Sequence, residues 1–181
     1  MGAFYSFGIT FSTSKEADNC KSLFENYDFS LSDSTIINSR LFVNQCDYSL
    51  NNNEQFICSI FPEGLELPGA NPKLLQAKYF YEIRNMFYQF LLNLNLKFNI
   101  AFFEFEGADF IQDNNPLLII QDYDDYYVSI NEYFTGLYKD EDFIQKKYLG
   151  GLVISESLDN KNNLNIDAFE NFKIGYKWIS I

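Results

Sequence analysis

Apolar and polar positions recur along this chain with two different periods, and the changes from one to the other divide it into elements. Over residues 3–11, Ala3, Tyr5, Phe7, Ile9 and Phe11 alternate with Phe4, Ser6, Gly8 and Thr10, which predicts a strand whose odd-numbered face is buried. Thr13-Ser14-Lys15-Glu16 then has the spacing of a capping box, and Ala17, Cys20, Phe24 and Tyr27 supply the apolar side of the helix it opens. Residues 29–43 and 56–61 return to the strand pattern, with Thr35, Ile37, Leu41 and Val43 in alternation. Asn51-Asn52-Asn53 marks a turn between the two runs, so this part predicts an antiparallel hairpin or meander.

The longest helical pattern follows. Asn71 before Pro72 is a start signal, because the Asn side chain accepts from an orphan backbone N–H and Pro at the first helical position has no N–H to leave unpaired. Phe80, Ile83, Phe87, Phe90, Leu91 and Leu94 recur three or four apart on one face, and Glu82, Asn85, Gln89 and Asn93 on another. At 1.5 Å per residue this helix is roughly 35–40 Å long, enough to cross a small domain. Its aromatic stripe reads as core rather than as a ligand pocket.

Beyond it, Leu94, Leu96, Phe98, Ile100 and Phe102 alternate, and the pattern then slips by one so that Phe103 and Phe105 are apolar while Glu104 and Glu106 are polar. A bulge, or a strand buried on both faces near Ala101, explains such a slip. Residues 117–120 read as a central strand, 140–148 as a short helix, 159–163 as an exposed loop, and 152–154 and 176–181 as the last strands. The predicted fold is a single α+β domain over residues 1–181, a mainly antiparallel sheet packed against one long helix (about residues 72–95) and shorter helices.

Length and composition fit this reading. A chain of 181 residues with 20 Phe and 13 Tyr has the means to bury about 70% of its unfolded surface, so neither a disulfide nor a metal is needed to hold it. Cys20, Cys46 and Cys58 are odd in number and lack C-x-x-C spacing, which predicts reduced thiols and a cytoplasmic location. No basic segment leads into an apolar run at the start, no stretch is apolar enough to span a bilayer, and no N-x-[ST] acceptor occurs. Residues 1–6 fit the loose N-myristoylation pattern, but the same residues begin a good strand. The abundance of Asn, Ile, Lys, Phe and Tyr, types encoded by A/T-rich codons, points to a low-GC bacterial genome.

Charge changes the picture most. The formal net charge is −12, and it is unevenly placed: residues 104–142 carry Glu104, Glu106, Asp109, Asp113, Asp122, Asp124, Asp125, Glu132, Asp140, Glu141 and Asp142 against the single base Lys139. Tyr123, Tyr126, Tyr127, Tyr133 and Phe134 are interleaved with them. Carboxylates take charge-assisted hydrogen bonds from Arg and Lys, and tyrosine faces take a cation, so the mixture suits a basic protein partner. The plainer reading is a solvated acidic face that keeps the protein soluble. Asp122, Asp124 and Asp125 lack the glycine and terminal Glu of a calcium loop, and no basic stripe offers itself to a nucleic-acid backbone.

Histidine is absent, which removes Ser-His-Asp and Cys-His chemistry and the usual neutral-pH base, and no phosphate-cradling or nucleophile-elbow motif occurs. Carboxylate chemistry survives, with Glu104 and Glu106 at i and i+2 as the obvious pair, although such a pair is ordinarily the wet side of a strand. In composition the chain resembles the small acidic immunity proteins of bacterial toxin systems, a resemblance that covers no alignable stretch. The expected function is a cytoplasmic inhibitor that neutralises a basic toxin domain, such as a nuclease. No cofactor, metal, membrane or direct nucleic-acid contact is expected. The expected contact residues are Glu104, Glu106, Asp109, Asp113, Asp122, Tyr123, Asp124, Asp125, Tyr126 and Tyr127. A DNA-mimic or phage-type inhibitor of a nucleic-acid enzyme, and a small carboxylate-based enzyme or ligand-binding module, are the alternatives.

Overall fold

A computed structural model describes residues 5–50, 52–64, 77–105, 149–158, 164, 166 and 169–179. Its elements run β1 (Tyr5–Phe11), α1 (Ser14–Phe24), β2 (Phe29–Ser30), β3 (Ile36–Ile37), β4 (Ser39–Leu50), β5 (Asn53–Pro62), α2 (Ala77–Asn93), β6 (Ile100–Phe105), β7 (Leu149–Ser155), β8 (Glu170–Lys173) and β9 (Tyr176–Ile179). Seven strands form one antiparallel sheet in the order β4-β5-β1-β6-β7-β9-β8, and β2 and β3 pair separately. The fold is α+β, as the alternation predicts.

Local signals account for much of this. Thr13 caps α1, its hydroxyl oxygen accepting from the Glu16 N–H at 3.2 Å and its O–H donating to the Glu16 carboxylate at 2.9 Å. Ala17, Cys20 and Phe24 are the buried face, which lies over β4 and β5. The β4–β5 hairpin closes at Leu50 opposite Asn53, with Asn52 at φ 63°, a left-handed conformation that Asn tolerates better than most residues.

Other expectations need correction. Residues 29–43 are not one strand: Ser34 turns the chain at φ 67°, the Asp33 carboxylate accepts from the Thr35 N–H at 3.1 Å, and β2 and β3 become a separate short hairpin. The next strand, β4, then runs past Val43 to Leu50. The predicted start of the long helix at Pro72 lies outside the described residues; its end is Asn93, and the strand expected from Leu94 begins only at Ile100. No basic residue stands in the last turn of α2. A lysine distant in sequence supplies the cation instead: the Lys173 ammonium donates to the carbonyls of Leu91 at 2.7 Å and Leu94 at 2.9 Å.

The largest correction concerns burial. Phe7, Ile9 and Phe11 are fully buried as predicted, but so are Ser6 and Thr10 on the opposite face of β1. The central strands of the sheet are covered on both sides, while the edge strand β4 leaves Arg40, Phe42 and Asn44 exposed. α1 and α2 pack on one face, where Phe7 stacks on its cross-strand partner Phe103 at 4.2 Å and meets Phe87 of α2 at 4.3 Å. On the other face Ile57, Ile100, Phe102, Leu152 and Ile154 join Leu158, Leu164, Ile166 and Phe169 in a second core. The slip near Ala101 is thereby explained: Ile100, Ala101, Phe102 and Phe103 are all fully buried in a strand flanked by β1 and β7. A register irregularity does occur, two residues later, between Phe103 and Glu104.

Candidate functional site

Of the ten residues expected to contact a partner, Glu106, Asp109, Asp113, Asp122, Tyr123, Asp124, Asp125, Tyr126 and Tyr127 lie outside the described residues. So do the predicted strand at 117–120 and the predicted helix at 140–148. Glu104 is in β6, its backbone in register with the fully buried Ser6 of β1 and with Leu149 of β7. The strand carrying it is therefore central in the sheet, not a half-solvated one. What the described residues do establish is the frame of the acidic segment. The described strand before it ends at Phe105 and the one after it begins at Leu149, and these are adjacent antiparallel strands whose register pairs Glu104 with Leu149. Both ends are thus held side by side at one end of the sheet.

Among the described residues, a second feature was hidden in the sequence. Asn85, Tyr88, Gln89 and Leu92, at i, i+3, i+4 and i+7, form one stripe of α2, and this stripe faces Asn171, Phe172 and Trp178 across a groove of about 300 Å³. In a regular strand Asn171 and Phe172 point to opposite faces. Here β8 carries an extra residue between Asn171, paired with Lys177, and Lys173, paired with Tyr176, and this bulge lets both side chains line the groove.

Tyr88 anchors the groove floor. Its ring meets Trp178 edge-on at 5.1 Å and Phe172 at 6.1 Å, and burial pushes its hydroxyl pKa well above the ordinary tyrosine value, partly offset by the nearby Arg84 guanidinium. Gly151 in β7, at φ 139°, makes room for it: a Cβ there would overlap the Tyr88 hydroxyl. From sequence Asn85 and Gln89 are only the polar side of a helix. The clue lies in their type, since two neutral amides stand where an exposed stripe ordinarily carries charge.

Two further concavities among the described residues have more polar linings. One, of about 580 Å³, is bordered by Ser12, Glu16, Asn99, Glu156 and Tyr176. The Tyr176 hydroxyl accepts from the Phe98 N–H at 3.0 Å and donates to the Phe98 carbonyl at 3.1 Å, which fixes that wall. The other, of about 350 Å³, lies at the β4–β5 irregularity beside Asp47 and Glu54. Cys20 and Cys58 are buried against each other, and their hydrogen bond together with burial pushes the Cys20 thiol far up, out of nucleophilic range. Among the described residues no cluster of three or more Asp, Glu, Cys or His side chains has metal-binding geometry, and no helix is long and apolar enough to cross a membrane.

No family model, curated protein or solved structure matches this chain.

Proposed function

We propose that the chain acts by binding, as a cytoplasmic inhibitor of the immunity type that neutralises a basic toxin domain, a nuclease being the chemistry that fits best. The observation that carries this reading is the segregation of charge. Eleven acids against one base fall in residues 104–142, and nearly all of that stretch belongs to the connection between two neighbouring strands of a two-sided core. Like charges gathered in one segment accelerate encounter with an oppositely charged surface, and the interleaved tyrosines offer large contact area at low entropic cost. Cationic surfaces are what enzymes that handle phosphate present to their substrates.

The experiment is capture on the immobilised full chain from a lysate of the organism that encodes it, followed by mass spectrometry. A basic protein is expected, released by salt. Reversing Asp122, Asp124 and Asp125 to Lys is expected to slow association with that protein roughly 10–100-fold at low ionic strength, with the unfolding midpoint unchanged. Association at an unchanged rate in low salt would remove the acidic segment as the contact surface. The sign that would favour a carboxylate-based enzyme is a cleft into which Glu104, Glu106 and Asp122 converge, and that geometry falls outside the described residues.

A further inference from the structure

We propose that the groove between α2 and the β8–β9 ribbon is a binding site for a neutral sugar ring. Its lining decides the chemistry by elimination. Asn85, Gln89, Asn171, Tyr88, Phe172 and Trp178 bring three amides and three aromatic rings, and among the described residues no charged side chain lines the groove. The two cations nearby are engaged and do not line it: the Arg84 guanidinium lies over the Tyr81 ring at 4.8 Å and 5.8 Å from the Tyr88 ring, and the Lys173 ammonium donates to the Leu91 and Leu94 carbonyls, so an anionic ligand is disfavoured. A quaternary ammonium needs rings spaced around it, whereas the centroids here stand 5.1 Å (Tyr88–Trp178), 5.5 Å (Phe172–Trp178) and 6.1 Å (Tyr88–Phe172) apart. The rings touch one another and form a wall, leaving no cage. A peptide strand would need a regular row of backbone donors and acceptors on the edge strand β8, which is four residues long and interrupted by its bulge.

What remains is a neutral ligand with one apolar face and many hydroxyls. The C–H face of a pyranose lies against an aromatic wall, and each of its hydroxyls both donates and accepts, as does each side-chain amide. The amides of Asn85, Gln89 and Asn171 make no side-chain hydrogen bond among the described residues, so they are open to such a partner. The indole N–H of the half-buried Trp178 adds a further donor. A groove of about 300 Å³ takes one or two rings. Two construction details converge on it: the uncharged i, i+3, i+4 positions of α2, and a bulge that turns Asn171 and Phe172 the same way.

The test uses a built-in reporter, since Trp178 is the only tryptophan in the chain. The full chain is titrated with glucose, galactose, mannose, N-acetylglucosamine and their disaccharides, reading tryptophan emission and magnetisation transfer from protein to sugar C–H protons. One of these sugars is expected to give a saturable response with a Kd on the order of 1 mM, as few ligand atoms make contact. Asn171→Ala and Gln89→Ala, both at exposed positions, are each expected to weaken it at least about tenfold with an unchanged unfolding midpoint. Tighter binding of a disaccharide identifies a glycan chain as the natural source, and equal binding a free sugar. The proposal is overturned if no sugar responds at about 100 mM, roughly a hundredfold above the expected Kd. It is equally overturned if choline or a capped tetrapeptide responds in their place, or if both amide variants bind as tightly as the parent.

Discussion

The central strands are buried on both faces of the sheet, by different means. On the helix-covered face the interior is aromatic: Phe7, Phe87, Phe103 and Phe80 stack in series, with centroid distances of 4.3, 4.2 and 4.5 Å for Phe7–Phe87, Phe7–Phe103 and Phe80–Phe103. Each such contact adds about 0.5–1.5 kcal/mol beyond the burial of its area. On the opposite face aliphatic residues are mixed with buried polar ones, Ser6, Thr10, Gln55 and Ser59. These are tolerated because they are satisfied: the Thr10 hydroxyl accepts from the Ile100 N–H at 3.1 Å, and the Gln55 carbonyl accepts from the Asn99 amide at 2.6 Å. Stability on one side comes from ring packing, and on the other from buried apolar side chains with paired polar groups among them.

Substitutions that separate these two means should rank accordingly. The largest loss is expected for Phe87→Ala, about 3–5 kcal/mol by urea denaturation, because the ring is fully buried and its neighbours are too tightly stacked to refill the space. A value below about 2 kcal/mol would mean that the helix can settle onto the sheet. On the other face Gly8→Ala should cost about 1–3 kcal/mol, since a Cβ there would overlap the Phe102 ring that lies across the strand. A neutral result would show that this ring is free to move and that the second face is the looser of the two.

Alkali should act mainly through the helix-covered face. Tyr27, Tyr88 and Tyr176 pack there, and burial raises the pKa of each; on the other face Tyr48 is raised for the same reason, with a contribution from Cys46. A tyrosine held protonated in the fold contributes stability that is complete below about pH 10, its unfolded value, and is lost as pH rises toward the folded value. For the enclosed Tyr88 this is at most about 1.4 kcal/mol per pH unit. Lys173, whose pKa burial lowers, has the opposite sign, so stability from that group rises with pH up to its unfolded value, but it is one group against four. Cys20, whose thiol is pushed far up, has the same sign as the tyrosines, so denaturation midpoints measured from pH 8 to 11 should begin to fall at about pH 9 and fall more steeply above about pH 10. Thr10→Val should be the mildest change, about 1 kcal/mol, through the lost acceptor for Ile100.

The same contrast separates what was readable in the chain from what was not. The strand β1, the Thr13–Glu16 cap and the turn after Leu50 were legible because each depends on residues within four positions of one another. The break at Ser34 is hidden because Thr35, Ile37 and Leu41 keep alternating through a turn set by local hydrogen bonds, from the Thr35 N–H to the Asp33 carboxylate and between Leu31 and Ser34 and Leu31 and Thr35. Burial of Ser6 and Thr10 was illegible for a different reason: a hydroxyl that finds a partner across a strand is spelled the same way as one that faces water. For function the acidic segment announces itself by composition, whereas the groove does not, since its helix stripe and its three strand residues are separated by most of the second half of the chain.

By itself the sequence determined the period of each element, the caps and turns at its ends, and the concentration of acid between two of its strands, because these are properties of near neighbours. The tertiary structure alone decided the strand order β4-β5-β1-β6-β7-β9-β8, the covering of both faces, the capping of α2 by Lys173, and the meeting of Gln89 with Asn171 and Trp178. A period states which side chains share a face; what comes to cover that face depends on contacts between segments far apart along the chain, and these exist only once it has folded.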